Sequence, residues 1–196
     1  MGFAMEKQKE AKKKNLLEAA YALFLLKGTG KTSVSDIVDR ANVAKGTFYL
    51  YFRDKEELMQ QLVYQISYEV LGQAYQCVKK RPAQSFADDV VVLVDAVIEY
   101  FKQNKAVLQL LRRNFCWPVF QDKLENDEDP LWRELRERLY QSKIMIDRSL
   151  NDVLKEVFII LEMCGAVCHE AIIENRPDTI DNMKPILFEI IRKILS

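Results

Sequence analysis

The chain has 196 residues, 49% of them hydrophobic and 30% charged, and its formal net charge is zero. That length supports one or two compact domains with a real core, and the balance excludes a disordered chain. No stretch approaches the roughly 18 uninterrupted apolar residues of a membrane span, and the opening MGFAMEKQKEAKKK has no apolar run of the secretory kind, so a cytoplasmic protein with no membrane partner is expected.

The charge is not evenly spread. Residues 1–60 hold 11 Lys and Arg against 8 Asp and Glu, and the remainder holds 18 against 21. A mildly basic head on a mildly acidic body suits nucleic-acid contact through the head. The four cysteines, Cys77, Cys116, Cys164 and Cys168, form no CxxC and are expected as reduced thiols.

Almost every segment has helical periodicity, so the expected fold class is all-α. Leu16, Leu17, Ala20, Leu23 and Phe24 predict a helix over 6–27 that Gly28 terminates. Ser33 is placed to cap a short helix over 34–41, and Asn42 tolerates the left-handed conformation of a tight turn. A second short helix is expected over 45–51. Asp54 and Glu57 then form a capping box for a long helix, with Leu58, Leu62, Ile66, Val70, Ala74 and Val78 recurring up to Pro82.

Further helices are expected over 85–103, 105–113 and 130–148. The intervening 114–130, with Pro118, Pro130 and an acidic run, looks like a loop or broken helix. Two C-terminal helices follow, over 151–174 and 180–195. The first is apolar nearly all round, and the second repeats apolar pairs every four residues. One chain cannot easily hide both, so Phe158 and Leu161 with Ile186, Ile190 and Ile194 are the expected homodimer interface.

The most informative stretch is AKGTFYLYFRDKEEL, residues 44–58. Two short helices joined by a tight turn under a longer first helix make a helix-turn-helix, and the second would be the recognition helix. Lys45 and Thr47 at its start can meet phosphate or base edges, and Gly46 permits close backbone approach to a duplex. Phe48 and Phe52 lie four apart and should anchor the helix inward. Tyr49 and Tyr51 should face outward with their hydroxyls toward phosphates. Lys55 opens the next helix, where a cation lacks dipole support, and a nearby phosphate would explain it.

Over residues 13–63 the chain resembles the TetR family of transcriptional regulators, through Leu16–Phe24, KTSVSDIVDRANV and AKGTFYLYFRDKEEL. The resemblance implies a three-helix DNA-binding head, residues 1–54, and a helical effector-binding and dimerisation body, residues 55–196. It implies a homodimer that binds palindromic double-stranded DNA, acts as a repressor and is released by a small-molecule effector of unknown identity. The DNA contacts it implies are Thr32, Ser33, Ser35, Lys45, Gly46, Thr47, Tyr49, Tyr51 and Lys55. Ala44 departs from the family's frequent Ser or Thr, which removes a helix cap worth about 0.5–2 kcal/mol.

Each feature also has a plainer explanation. Lys12–Lys14 could be a solvated helix face or a set of phosphate contacts. Cys164, Cys168 and His169 could sense a metal or redox change, but buried thiols in an apolar helix explain them as well, with no fourth ligand in view. Phe115, Trp117, Phe120 and Trp132, together with Phe101, could wall an effector pocket or simply pack the core. The one histidine, and the absence of a phosphate loop or nucleophile elbow, leave an enzyme, a metal centre or a cofactor without a motif. The alternative of a different kind is an interaction protein of the same fold, controlled by a protein partner.

Overall fold

A computed structural model describes residues 2–81 and 85–196, with the side chains described from residue 6 onward. Ten α-helices lie among the described residues, with no strand. The chain divides into two compact units, residues 1–65 and 66–196.

The first unit is built from α1 (Gly2–Lys27), α2 (Val34–Ala41), α3 (Lys45–Tyr49) and the start of α4 (Lys55–Lys79). Its core is the apolar stripe of α1, Leu16, Leu17, Ala20 and Phe24, against Ile37, Phe48, Phe52 and Leu58. Burying each large side chain contributes about 1.5–3 kcal/mol. The breaks between these helices follow from local chemistry. Gly28 takes φ +82° and donates its N–H to the Phe24 carbonyl at 3.0 Å, closing α1. Ser33 and Asp36 form a reciprocal capping box at the start of α2, and Asn42 turns the chain at φ 53°.

The break between the two compact units falls inside α4, eleven residues after the expected boundary at 54/55. α4 itself ends at Lys79; Pro82, its expected stop, lies outside the described residues.

The second unit contains the rest of α4, then α5 (Phe86–Gln103), α6 (Lys105–Asn114), α7 (Trp117–Asn126), α8 (Pro130–Tyr140), α9 (Leu150–Cys168) and α10 (Ile180–Ile194). Ser85, Ser149 and Thr179 cap α5, α9 and α10 through their hydroxyls. Ion pairs between residues distant in sequence bind α10 to α5: Lys184 reaches Asp95 at 2.7 Å, Lys102 reaches Asp181 at 2.8 Å, and Arg192 reaches Asp88 at 2.9 Å. No helix among the described residues is long and apolar enough to cross a membrane.

Several expected bounds differ. Within 114–130, expected as a loop or broken helix, residues 117–126 form helix α7, because Pro118 sits in its first turn, where the missing N–H has no intrahelical partner to lose. The helix expected over 130–148 stops at Tyr140 and yields to a 3₁₀ turn, Lys143–Met145; apolar Ile144 and Met145 continued the stripe, but Asp147 then takes φ 59°. The helix expected over 151–174 widens into a π-type turn at His169–Ile173.

Candidate nucleic-acid interface and body cavity

α3 divides its aromatics by burial. Phe48 and Phe52 are 0% and 1% exposed, their rings 5.6 Å apart, whereas Tyr49 is 53% exposed. The inward pair fixes the helix, leaving Lys45, Gly46 and Tyr49 on the surface and Thr47 and Tyr51 half-buried. α3 begins without a side-chain cap: at Ala44 the only closure is the Thr47 N–H donating to the Ala44 carbonyl at 2.8 Å. A Cβ added to Gly46 would meet nothing within 4 Å, so the protein itself does not require glycine there.

The other expected contacts are distributed differently. Ser35 is exposed. The Ser33 hydroxyl is occupied in the capping box: it accepts from the Asp36 N–H at 3.1 Å and donates to the Asp36 carboxylate at 2.7 Å. Thr32 is only 2% exposed, and its hydroxyl donates to the Gly28 carbonyl at 2.8 Å. Its side chain therefore serves the turn between α1 and α2. Lys55 donates to the carbonyls of Thr29 and Thr32, both at 2.8 Å. These carbonyls account for a cation at the start of a helix without any phosphate.

The Asp54 box is also displaced by one residue. Asp54 accepts the Glu57 N–H at 2.8 Å, while Glu57 reaches back to the Arg53 N–H at 2.6 Å. In the basic run, Lys13 lies 5.8 Å from the Phe52 ring centroid and Lys14 pairs with Glu18 at 3.7 Å, leaving Lys12 exposed.

The residue missed by sequence reasoning is Leu50, 75% exposed between the two tyrosines. Helical geometry held the signal: if 48 and 52 point inward, 49 and 50 cannot both follow them.

The second unit encloses a cavity of about 500 Å³. Phe101 and Phe115 line it, as do Ser67, Val70 and Leu71 of α4. Trp117 and Trp132 stand one layer back. Trp117 stacks on Phe120 at 5.6 Å and Trp132 meets it edge-on at 5.1 Å; Phe120 is the ring that lines the cavity. Cys164 and Cys168 also line it, and burial pushes each thiol up to about 12, so both stay protonated near neutral pH.

The expected dimer face is mixed. Phe158, Ile186 and Ile190 are exposed, joined by exposed Ile159. Ile194 is half-buried, and Leu161 lines the cavity.

These features define a helix-turn-helix head followed by a helical body with an internal cavity. Residues 16–62 match the family described as bacterial regulatory proteins, tetR family, and the head belongs to it. The HTH-type transcriptional regulator YvdT of Bacillus subtilis (strain 168) is 47% identical over 55 residues, 28% of each chain. A probable acrEF/envCD operon repressor of Escherichia coli (strain K12) is 38% identical over 50 residues, 26% of this chain and 23% of that one. The chain spans about a quarter of the length of these two curated relatives. Over nearly the whole chain, a TetR-family transcriptional regulator from Streptomyces coelicolor shares the fold, with TM-score 0.65 and 15% identity, covering 95% of this chain and 97% of that one.

Proposed function

We propose that this chain is a transcriptional regulator of the repressor kind, cytoplasmic, binding a palindromic operator as a homodimer and released by a small molecule in the body cavity. The observation that carries this is the division of α3: two buried phenylalanines hold it, and its outward face offers Lys45, Gly46, Thr47, Tyr49 and Tyr51. In this reading Ser35 approaches the same DNA backbone from α2, Leu50 offers its methyls to a thymine, and Thr32, Ser33 and Lys55 contribute by shaping the turn and the start of α2. Residues 1–54 would serve DNA and residues 55–196 the effector and the second copy. The relative described as an operon repressor supports the sign of the regulation.

α4 gives the switch its physical route. Its first residue, Lys55, is tied to the head turn, and its Ser67, Val70 and Leu71 wall the cavity. A ligand that displaces this wall would move a helix shared with the head. A hundredfold loss of operator affinity needs a preference of about 2.7 kcal/mol for the incompetent state, an ordinary coupling energy.

Control by a protein partner is the other reading, and the cavity favours a ligand over it. The deciding experiment is selection of duplexes from a random library by the full chain. An enriched palindrome, bound at least tenfold more weakly by Thr47→Ala and Tyr51→Phe, is expected. No enriched sequence would remove the specific-binder reading.

A further inference from the structure

We infer that the effector is a single-chain anionic amphiphile, its aliphatic body filling the cavity and its carboxylate pairing with Arg113. This rests on the reading of the cavity as an effector site. The volume, about 500 Å³, is within the usual range of small-molecule sites. At about 30 Å³ for each water-sized group, it has room for roughly sixteen of them.

The lining decides the chemistry. Apart from Ser67 and the two thiols, it is aliphatic and aromatic except where α6 ends beside α9. There Arg112, Arg113 and Glu162 line the cavity together. Arg112 pairs loosely with Glu162, at 3.7 Å, and its side chain packs beside Gly165, where an added Cβ would still find ordinary contact at 3.6 Å. Arg113 is exposed to solvent at this edge of the cavity and has no acidic partner among the described residues. Two arginines and one glutamate thus line this end of the cavity, a surplus of one positive charge.

A sugar or nucleotide would bury many hydroxyls against a wall that cannot hydrogen-bond them. A cation would meet the guanidinium as a like charge, and a neutral hydrocarbon would draw no attraction from it. One acid group on a long apolar body satisfies both the wall and the charge, in a fork geometry suited to a carboxylate. The arginines also complement the C-terminal end of α6, and that role requires no ligand. The test separates the two roles.

The full chain is titrated calorimetrically with dodecanoate, dodecan-1-ol and dodecyltrimethylammonium, each below its micellar concentration. Dodecanoate should bind one per chain, at least tenfold tighter than either of the others. Arg113→Met should bring dodecanoate to the affinity of the alcohol and leave the alcohol unchanged; Arg113→Lys should restore part of the preference. Equal affinities, or a preference that survives Arg113→Met, would overturn the anionic head while leaving an effector cavity in place. If none of the three binds, and a neutral apolar dye such as Nile red does not bind either, the effector reading falls as well.

Discussion

The ammonium of Lys55, the first residue of α4, holds the carbonyl of Thr29 at 2.8 Å across 26 positions of sequence. With its second bond, to the Thr32 carbonyl, it closes the turn that leads into α2. Hydrogen bonds from a charged donor contribute about 1.5–3 kcal/mol. Lys55→Met should therefore speed amide exchange in residues 28–33 by roughly ten- to a hundredfold. Unchanged exchange would show that these carbonyls gain nothing from the lysine. The salt dependence of operator binding by the same variant reports separately on a phosphate contact, through a slope smaller by about one.

Gly46 gives a test that separates fold from DNA. Nothing lies within 4 Å of its would-be Cβ, and it sits inside a helix. Gly46→Ala should stabilise the free protein by about 0.5–1 kcal/mol. It should nonetheless weaken operator binding at least fivefold, because the added methyl would occupy the space of closest backbone approach. Equal operator affinity in a gel-shift titration would show that the duplex does not come close at this residue.

The cap of α2 sets a pH dependence. The Ser33 backbone N–H, then its hydroxyl, then Lys27 hold the Asp36 carboxyl well below the usual carboxylate range. A depressed folded-state value means that this stabilisation is present above the unfolded value of about 3.9 and is lost as pH falls below it. Asp36→Asn should melt below the wild type at pH 6, and the gap should narrow as pH drops below about 4. A gap that stays constant with pH would remove the carboxylate's charge from the account.

Dimerisation should depend on the exposed apolar residues of α9 and α10. Ile186 is 57% exposed and Ile190 is 39% exposed, with Phe158 and Ile159 also at the surface. Replacing Ile186 and Ile190 with Glu should yield monomers or insoluble protein. A wild-type chain that sediments as a monomer at micromolar concentration would sink the homodimer proposal.

The cysteines should separate by reactivity. Burial raises the Cys164 and Cys168 thiols to about 12, whereas Cys77 is exposed. Iodoacetamide at pH 8 should label Cys77 well before either cavity thiol, as peptide mass mapping would show. Early labelling of Cys164 or Cys168 would contradict their burial.

The head was legible in the sequence because its signals are local. Ser33, Asn42 and Gly28 mark helix ends through their own side chains or backbone freedom, and Phe48 and Phe52 follow a four-residue spacing. The roles of Thr32 and Lys55 were not legible: their partners are carbonyls, which every residue carries, and no residue type announces them. In the body, Phe101 and Phe115 border the cavity while Trp117 and Trp132 back it through Phe120. Sequence can group aromatics, but only packing decides which ring faces empty space. The sequence of 114–130 leaves loop and broken helix both open because Pro118 signals a break in mid-helix and a beginning in the first turn.

The split in α3 makes the surface letters of this protein exchangeable. Phe48 and Phe52 grip the interior, while Gly46, Tyr49 and Leu50 stand on the surface. Thr47, Tyr49 and Leu50 could be rewritten as a set, with Gly46 open to any small side chain, and the head should keep its form. Re-targeting to a new operator would then be a matter of vocabulary on a fixed grammar. The effector response proposed for the second unit would, on that proposal, travel unchanged to the new address.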